Sequence, residues 1–187
     1  MRQLIFSMNI SLDGYADHTV AIVDDELHEN ASDLLDTVDI ILFGRVTYQL
    51  MESYWPHAHN DPSATKSMIE FADKINAKPK IVFSRTLQKA EWNNTRLVKD
   101  HIVEKVVKLK QQPGKNLSLG GISICQEFMR LGMVDEYWLL VQPVIVGKGK
   151  RLFERLQNQI NLKLVDTKTF NSGVVVLHYR AEKREKG

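Results

Sequence analysis

Asn116-Leu117-Ser118-Leu119-Gly120-Gly121-Ile122-Ser123 reads as a short strand over 116–119 that turns through two glycines into a helix over 122–131. Glycine makes such a turn without Cβ crowding, and Gly132 is placed as the C′ residue that ends the helix. Two further stretches repeat the pattern. Asp39-Ile40-Ile41-Leu42-Phe43 is a continuous apolar run ending at Gly44, as expected of a strand buried on both faces, and a helix follows from about Thr47 to Ser53. Lys80-Ile81-Val82-Phe83 is a strand that ends at Ser84-Arg85-Thr86. Short apolar strands that alternate with helices define an α/β domain.

The same alternation extends to both ends of the chain. Residues 3–10 form a strand that Asp13-Gly14 closes in a turn. Asp24 or Asp25 caps a helix running to about Thr37, with Leu27, Ala31, Leu34, Leu35 and Val38 at helical spacing. Residues 56–63 carry two prolines, two histidines and an Asn-Asp pair and read as a loop, before a helix from about Ala64 to Ile75. A short strand near Thr95–Lys99 leads to Asp100, an N-cap for a helix with Ile102, Val106, Val107 and Leu109 that Pro113-Gly114 stops. Asp135–Val146 is a long strand rich in β-branched and aromatic residues, and Gly147-Lys148-Gly149 turns the chain. Strands at 162–170 and 174–181 about Asn171-Ser172-Gly173 make a closing hairpin. A single domain over 1–182 with a mixed sheet follows, with a charged tail at 183–187.

Composition excludes several classes. The 25 Lys and Arg against 23 Asp and Glu leave a net charge of +2, which gives no reason to expect nucleic acid. A lone cysteine, Cys125, cannot form an internal disulfide and suits a reducing, cytoplasmic setting. The amino terminus lacks the features of a signal peptide, and no apolar run approaches the ~20 residues of a membrane span. His57 and His59 have no evident third partner for a metal. G-x-G-x-x-G, G-x-x-x-x-G-K-[ST] and G-x-S-x-G are all absent. Gly147-Lys148-Gly149-Lys150-Arg151 has the look of a phosphate loop, but it follows a strand read as antiparallel and is set aside.

In open α/β sheets, ligands bind beyond the carboxyl ends of the strands. Gly44-Arg45-Val46-Thr47, Ser84-Arg85-Thr86 and Gly120-Gly121-Ile122-Ser123 stand at such ends. Helix N-termini present free N–H groups and partial positive charge, and glycine lets a phosphate reach the backbone. Arg45 and Arg85 add forked cationic donors, and Thr47, Ser84, Thr86 and Ser123 add hydroxyls. Together these groups suit a ligand with several phosphates.

Ser11-Leu12-Asp13-Gly14-Tyr15, Leu42-Phe43-Gly44-Arg45-Val46-Thr47-Tyr48 and Lys80-Ile81-Val82-Phe83-Ser84 resemble the dihydrofolate-reductase superfamily. Gly120-Gly121, Leu131-Gly132-Met133-Val134-Asp135-Glu136 and Pro143-Val144-Ile145-Val146-Gly147-Lys148-Gly149 are similar to bacterial stand-alone proteins related to the C-terminal reductase domain of the riboflavin enzyme RibD. The resemblance covers nearly the whole chain. It implies a three-layer α/β/α fold around a mixed, mainly parallel sheet with a C-terminal antiparallel hairpin. It also implies NADPH as cofactor. Gly44, Arg45 and Thr47 would meet the pyrophosphate or adenosine side, Ser84 and Arg85 the 2′-phosphate, and Gly120, Gly121, Ile122 and Ser123 the pyrophosphate. On the substrate side the resemblance puts Asp13, Asp25, Glu29 and Tyr48 around the pocket, the carboxylates as candidates to supply or relay a proton.

The resemblance has two departures. Riboflavin-pathway reductases carry a Glu where Leu119 stands and a Lys about where Ser7 stands, groups that handle their phosphoribosylamino-pyrimidine substrate. The implied activity is therefore NADPH-dependent reduction of a small heterocycle, pterin-like or aminopyrimidine. Two alternatives stand beside it: a 5-amino-6-(5-phosphoribosylamino)uracil reductase, and a nucleotide- or ligand-binding protein without turnover. A homodimer is expected, with Tyr137-Trp138-Leu139-Leu140-Val141 and the closing hairpin as its apolar contact.

Overall fold

The computed structural model describes residues 1–16, 19, 21–154 and 156–182. The basic run Lys183-Arg184 and Lys186 of the charged tail lies outside them. Eight strands form one sheet: β1 Leu4–Ser11, β2 Val38–Gly44, β3 Lys80–Phe83, β4 Thr95–Val98, β5 Asn116–Gly120, β6 Glu136–Gln142, β7 Leu162–Thr169 and β8 Val175–Ala181. Five helices flank it: α1 Asp25–Asp36, α2 Arg45–Glu52, α3 Lys66–Ala77, α4 Ile102–Gln111 and α5 Ile122–Arg130. The strand order is β4-β3-β2-β5-β1-β6-β8-β7. β1 through β6 run parallel, and only β8 and β7 are antiparallel to their neighbours.

Side-chain alternation along the strands creates the layers. Leu4 and Phe6 of β1, Leu42 of β2, Ile81 and Phe83 of β3 and Leu117 and Leu119 of β5 join Val106 and Leu109 of α4 and Cys125, Phe128 and Met129 of α5 in one apolar core. Ile5, Ile41, Phe43 and Val82 point the other way, to Leu34 and Leu35 of α1, Tyr48 of α2 and Phe71 and Ile75 of α3. This is the three-layer arrangement expected, with helices on both faces of a mostly parallel sheet.

The structure corrects several sequence-based boundaries. Residues 55–60 form a 3-10 turn rather than a plain loop. α2 begins at Arg45 instead of Thr47, because Gly44 serves as its N-cap directly at the end of β2. The N-cap of α4 is His101, at φ 53°, and Asp100 precedes it. β6 stops at Gln142, and Pro143, which has no N–H to give the ladder, follows. β6 also pairs parallel to β1 over Ile5↔Glu136 to Ser11↔Gln142, so residues 143–151 leave the sheet at the same end as the glycine turns. Because β6 lies between β1 and β8, Tyr137, Leu139 and Leu140 are buried within the subunit and offer nothing to a partner.

Lys80 is 1% exposed and closes the carboxyl end of α3. Its ammonium donates to the carbonyls of Ile75 (2.9 Å), Asn76 (3.1 Å) and Lys78 (2.8 Å), and lies 4.6 Å from the centre of the Trp92 ring. These are the terminal carbonyls that a helix leaves without partners. Lys80→Met keeps the stem and leaves the buried Ile75 carbonyl and the half-buried Lys78 carbonyl without this donor, while Asn76 O retains Asn94 Nδ2 at 3.1 Å. It is expected to lower unfolding free energy by about 2–4 kcal/mol, measured by denaturant titration, whereas a change under about 0.5 kcal/mol would show that the carbonyls find other donors.

Candidate functional site

Adjacent β2 and β5 end together, with Phe43 paired to Gly120. A Cβ on Gly121, whose φ is +121°, would stand 3.2 Å from the Gly44 nitrogen. A Cβ on Gly120 would stand 3.0 Å from the Phe43 ring. The backbones therefore touch where they turn into α2 and α5. The N-caps of both helices are glycines that make no side-chain hydrogen bond, so first-turn N–H groups remain open along the rim formed by the carboxyl ends of the central strands.

The predicted cofactor residues surround this rim. Arg45 is exposed on the first turn of α2, and its guanidinium donates to Gln49 Oε1 at 3.2 Å. Thr47 is half-buried beside Gly120, and Ile122 and Ser123 open α5. At the end of β3, Ser84 is buried and its hydroxyl accepts from the amides of Thr86 (3.2 Å) and Leu87 (2.9 Å), which shapes the turn. Arg85 projects from that turn with its side chain 81% exposed, and its Nε lies 3.9 Å from Asp100. Such an exposed pair holds weakly and leaves the guanidinium free to swing. Leu12, Val23, Val46 and Ile145 add exposed apolar side chains at this end.

The expected substrate-side residues divide differently. Asp13 accepts from the Ser11 hydroxyl (2.7 Å) and from the amides of Val146 (3.2 Å) and Gly147 (2.8 Å). The Ser11 hydroxyl, with those amides, holds its carboxyl below the usual range. Asp25 accepts from Thr65 and Ser67 at the start of α3, and the Ser67 hydroxyl above all lowers its carboxyl too. Both carboxylates join elements, and these bonds favour their ionised forms. Glu29 is exposed on α1. Tyr48 is fully buried against Phe43 and Trp92, its hydroxyl donates to Glu52 at 2.6 Å, and burial pushes the phenol up to about 12. It packs the core and touches no open space, which corrects its placement beside substrate.

Sequence reasoning missed the segment after β6. Leu12 N–H donates to Val144 O (2.8 Å), Ala16 N–H to Lys150 O (2.9 Å) and Leu152 N–H to Gly14 O (3.0 Å), so residues 144–152 are laced to 12–16. Arg151 donates to the Tyr15 hydroxyl at 3.1 Å, and Lys150 Nζ donates to Ser123 Oγ at 2.8 Å. The signal was present in Gly147-Lys148-Gly149-Lys150-Arg151. β6 is antiparallel to β8 but parallel to β1, and the second pairing brings this stretch to the carboxyl end of the sheet.

A cavity of about 1260 Å³, lined by residues such as Met129, Leu131, Tyr137 and Ile160, opens at the other end of the sheet. It receives the carboxyl end of α5, whose carbonyl dipoles disfavour a phosphate. The chemistry described above lies at the carboxyl ends of the strands. Among the described residues no group of His, Cys, Asp and Glu is arranged to hold a metal, and no helix is long and apolar enough to cross a membrane.

The family model of the RibD C-terminal domain matches residues 2–176. The uncharacterized protein YyaP of Bacillus subtilis is 38% identical over 182 residues, which cover 95% of this chain and 94% of that protein. Among solved structures, a pyrimidine reductase-like protein of Corynebacterium diphtheriae superposes with a TM-score of 0.67 at 15% identity, over 97% of this chain and 92% of that one. Dihydrofolate reductase of Enterococcus faecalis, solved as a complex with NADP(H), superposes with a TM-score of 0.62 at 11% identity, over 97% of both chains. At these identities the two structures show a shared fold.

If Asp13 is a strut, Asp13→Ala should speed hydrogen exchange at the amides of Val146 and Gly147, while Glu29→Ala leaves them unchanged. Asp13 is ionised, and its bonds intact, above the unfolded carboxyl value. The protection should fade as pH falls through its lowered value, and equal exchange in wild type and Asp13→Ala would remove the role.

Proposed function

The chain belongs to the RibD C-terminal domain family, and on that premise we propose that it is an NADPH-dependent reductase of a small heterocycle, pterin-like or aminopyrimidine. The observation that carries the reading is the pair of glycine-capped helix starts in contact at Gly44 and Gly121, with Arg45 and Arg85 beside them. A dinucleotide with a diphosphate bridge and a further phosphate fits that donor set. Backbone amides at the starts of α2 and α5 suit the diphosphate, and two mobile guanidinium forks suit the peripheral charges. Exposed Leu12, Val23, Val46 and Ile145 offer apolar surface for the rings.

In this reading, Gly120, Gly121, Ile122 and Ser123 lie against the diphosphate. Gly44, Arg45 and Thr47 meet its other side or the adenosine, and Arg85 takes the 2′-phosphate on a turn shaped by Ser84. NADPH, when bound, supplies the hydride. The protein orients the two reactants and keeps water from between them. The substrate is a heterocycle without the phosphoribosyl arm. Leu119 is 1% exposed in the apolar core, where the riboflavin-pathway pattern has Glu, and Ser7 is neutral, where that pattern has Lys.

Titration of the protein with NADPH and NADH tests the reading, because binding of neither would refute it. Arg85→Ala should weaken NADPH about tenfold, as expected for loss of one exposed charge-assisted contact, and leave NADH within about twofold. Equal losses would remove the 2′-phosphate role from Arg85. Loss of nicotinamide absorbance with oxidised pterins or aminopyrimidines then identifies the substrate class.

The same reading describes a cytoplasmic homodimer. Its contact is assigned to β7, the sheet edge that leaves Leu164 and Val165 half-exposed. Light scattering should return twice the 21.5 kDa chain mass, and a monomer mass would remove the dimer.

A further inference from the structure

Lys150 is exposed at the carboxyl end of the sheet. Its ammonium donates to Ser123 Oγ at 2.8 Å, on the second residue of α5. Helix N-termini carry partial positive charge and favour anions, so a cation there meets like charge. Among the described residues no carboxylate pairs with Lys150 or with Arg45. The Lys150 ammonium thus lies at the start of α5, which touches the start of α2 and its Arg45 through Gly121 and Gly44.

Backbone geometry places Lys150 there. Its carbonyl accepts from Ala16 N–H at 2.9 Å, and the neighbouring Arg151 pairs in an antiparallel bridge with Tyr15. Gly149, at φ +129°, makes the bend just before it, in a backbone conformation that side-chain-bearing residues rarely adopt. Asp13 fixes the other end of the segment through Val146 and Gly147. The segment 144–152 is therefore a strap tied across the turn after β1, with one lysine delivered to the start of α5.

We infer that Lys150 is a diphosphate-binding residue: its ammonium leaves Ser123 Oγ for a bridging phosphate of the dinucleotide lying over the starts of α2 and α5. The inference rests on the cofactor reading proposed above and adds a residue to it. It also assigns the strap a task distinct from that of Arg85. Lys150 serves the diphosphate, which NADPH and NADH share, whereas Arg85 serves the 2′-phosphate, which only NADPH has.

Isothermal titration of wild type, Lys150→Met and Lys150→Arg with NADPH and with NADH tests it, beside a melting curve for each. Lys150→Met should weaken both cofactors by a similar factor, about tenfold for one charge-assisted phosphate contact near solvent. Lys150→Arg should return affinity to within about threefold of wild type, and the melting temperatures should agree. Wild-type binding with an unchanged Lys150→Met would overturn the inference alone. A loss confined to NADPH would overturn it as well, because the contact would then be to the 2′-phosphate. A lowered melting temperature with no rescue by Lys150→Arg would mark a structural role and overturn it too. A wild type that binds neither cofactor would overturn the reading beneath it, and the inference with it.

Discussion

A Cβ on Gly121 would stand 3.2 Å from the Gly44 nitrogen, and its φ of +121° is one that side-chain-bearing residues rarely adopt, so the close approach of β2 and β5 at their ends depends on a glycine at 121. Much of the fold follows from that approach. It fits the register Leu42↔Leu119 and Phe43↔Gly120, which sends Leu42 and Leu119 into one core and Phe43 into the other. A slip by one residue would turn every side chain of β5 to the wrong face. From the shared edge α2 and α5 depart to opposite faces of the sheet, and the three layers are built around them. The same missing Cβ atoms leave the backbone amides open, so the constraint that fixes the packing also creates the anion-binding edge.

What was legible in the sequence was local. Glycine pairs, apolar runs and helical spacing gave each strand and helix within a few residues, and the three strand ends with their Gly, Arg and hydroxyl residues were found from composition at a turn. The direction of β6 was different in kind. Parallel and antiparallel strands with buried faces have the same composition, and direction is decided by β1, more than a hundred residues away in the chain. The antiparallel partner β8 follows in the closing hairpin, but the parallel pairing with β1, which brings the basic, glycine-bounded stretch 147–151 to the strand ends, leaves no local mark. Tyr48 failed for a related reason. The family resemblance places this tyrosine, three residues after Arg45, at the pocket, but its position on α2 faces Phe43 and Trp92, and only the packed structure shows which face is covered.

The carboxylates show how a site for a polyanion can contain acidic residues. Asp13 accepts from a hydroxyl and two amides on its two oxygens, and Asp25 accepts from two hydroxyls on Oδ1. Each stays ionised and joins two segments: Asp13 the turn after β1 to the strap, Asp25 the first turn of α1 to the start of α3. Their charge is spent on backbone and hydroxyl dipoles, so little of it reaches the phosphate edge. A carboxylate that accepts several such bonds is held below its ordinary value, which suits a strut.

The strap completes this division of labour. A lysine on an unrestrained loop would lose chain and side-chain freedom on meeting a phosphate, and that loss would subtract from affinity. Here the backbone around Lys150 is ordered before any ligand arrives, by the Ala16 amide on one side and by Asp13, Val146 and Gly147 on the other. The ordering cost falls on folding, where the sheet and its two cores outweigh it. Only the side chain has to move, from the Ser123 hydroxyl to an adjacent anion. The arrangement also sets a dependence that runs opposite to chain order: the turn after the first strand, formed by Ser11, Asp13 and Tyr15, positions a cation more than a hundred residues later, so damage at that turn reaches the phosphate edge without altering any residue in contact with it.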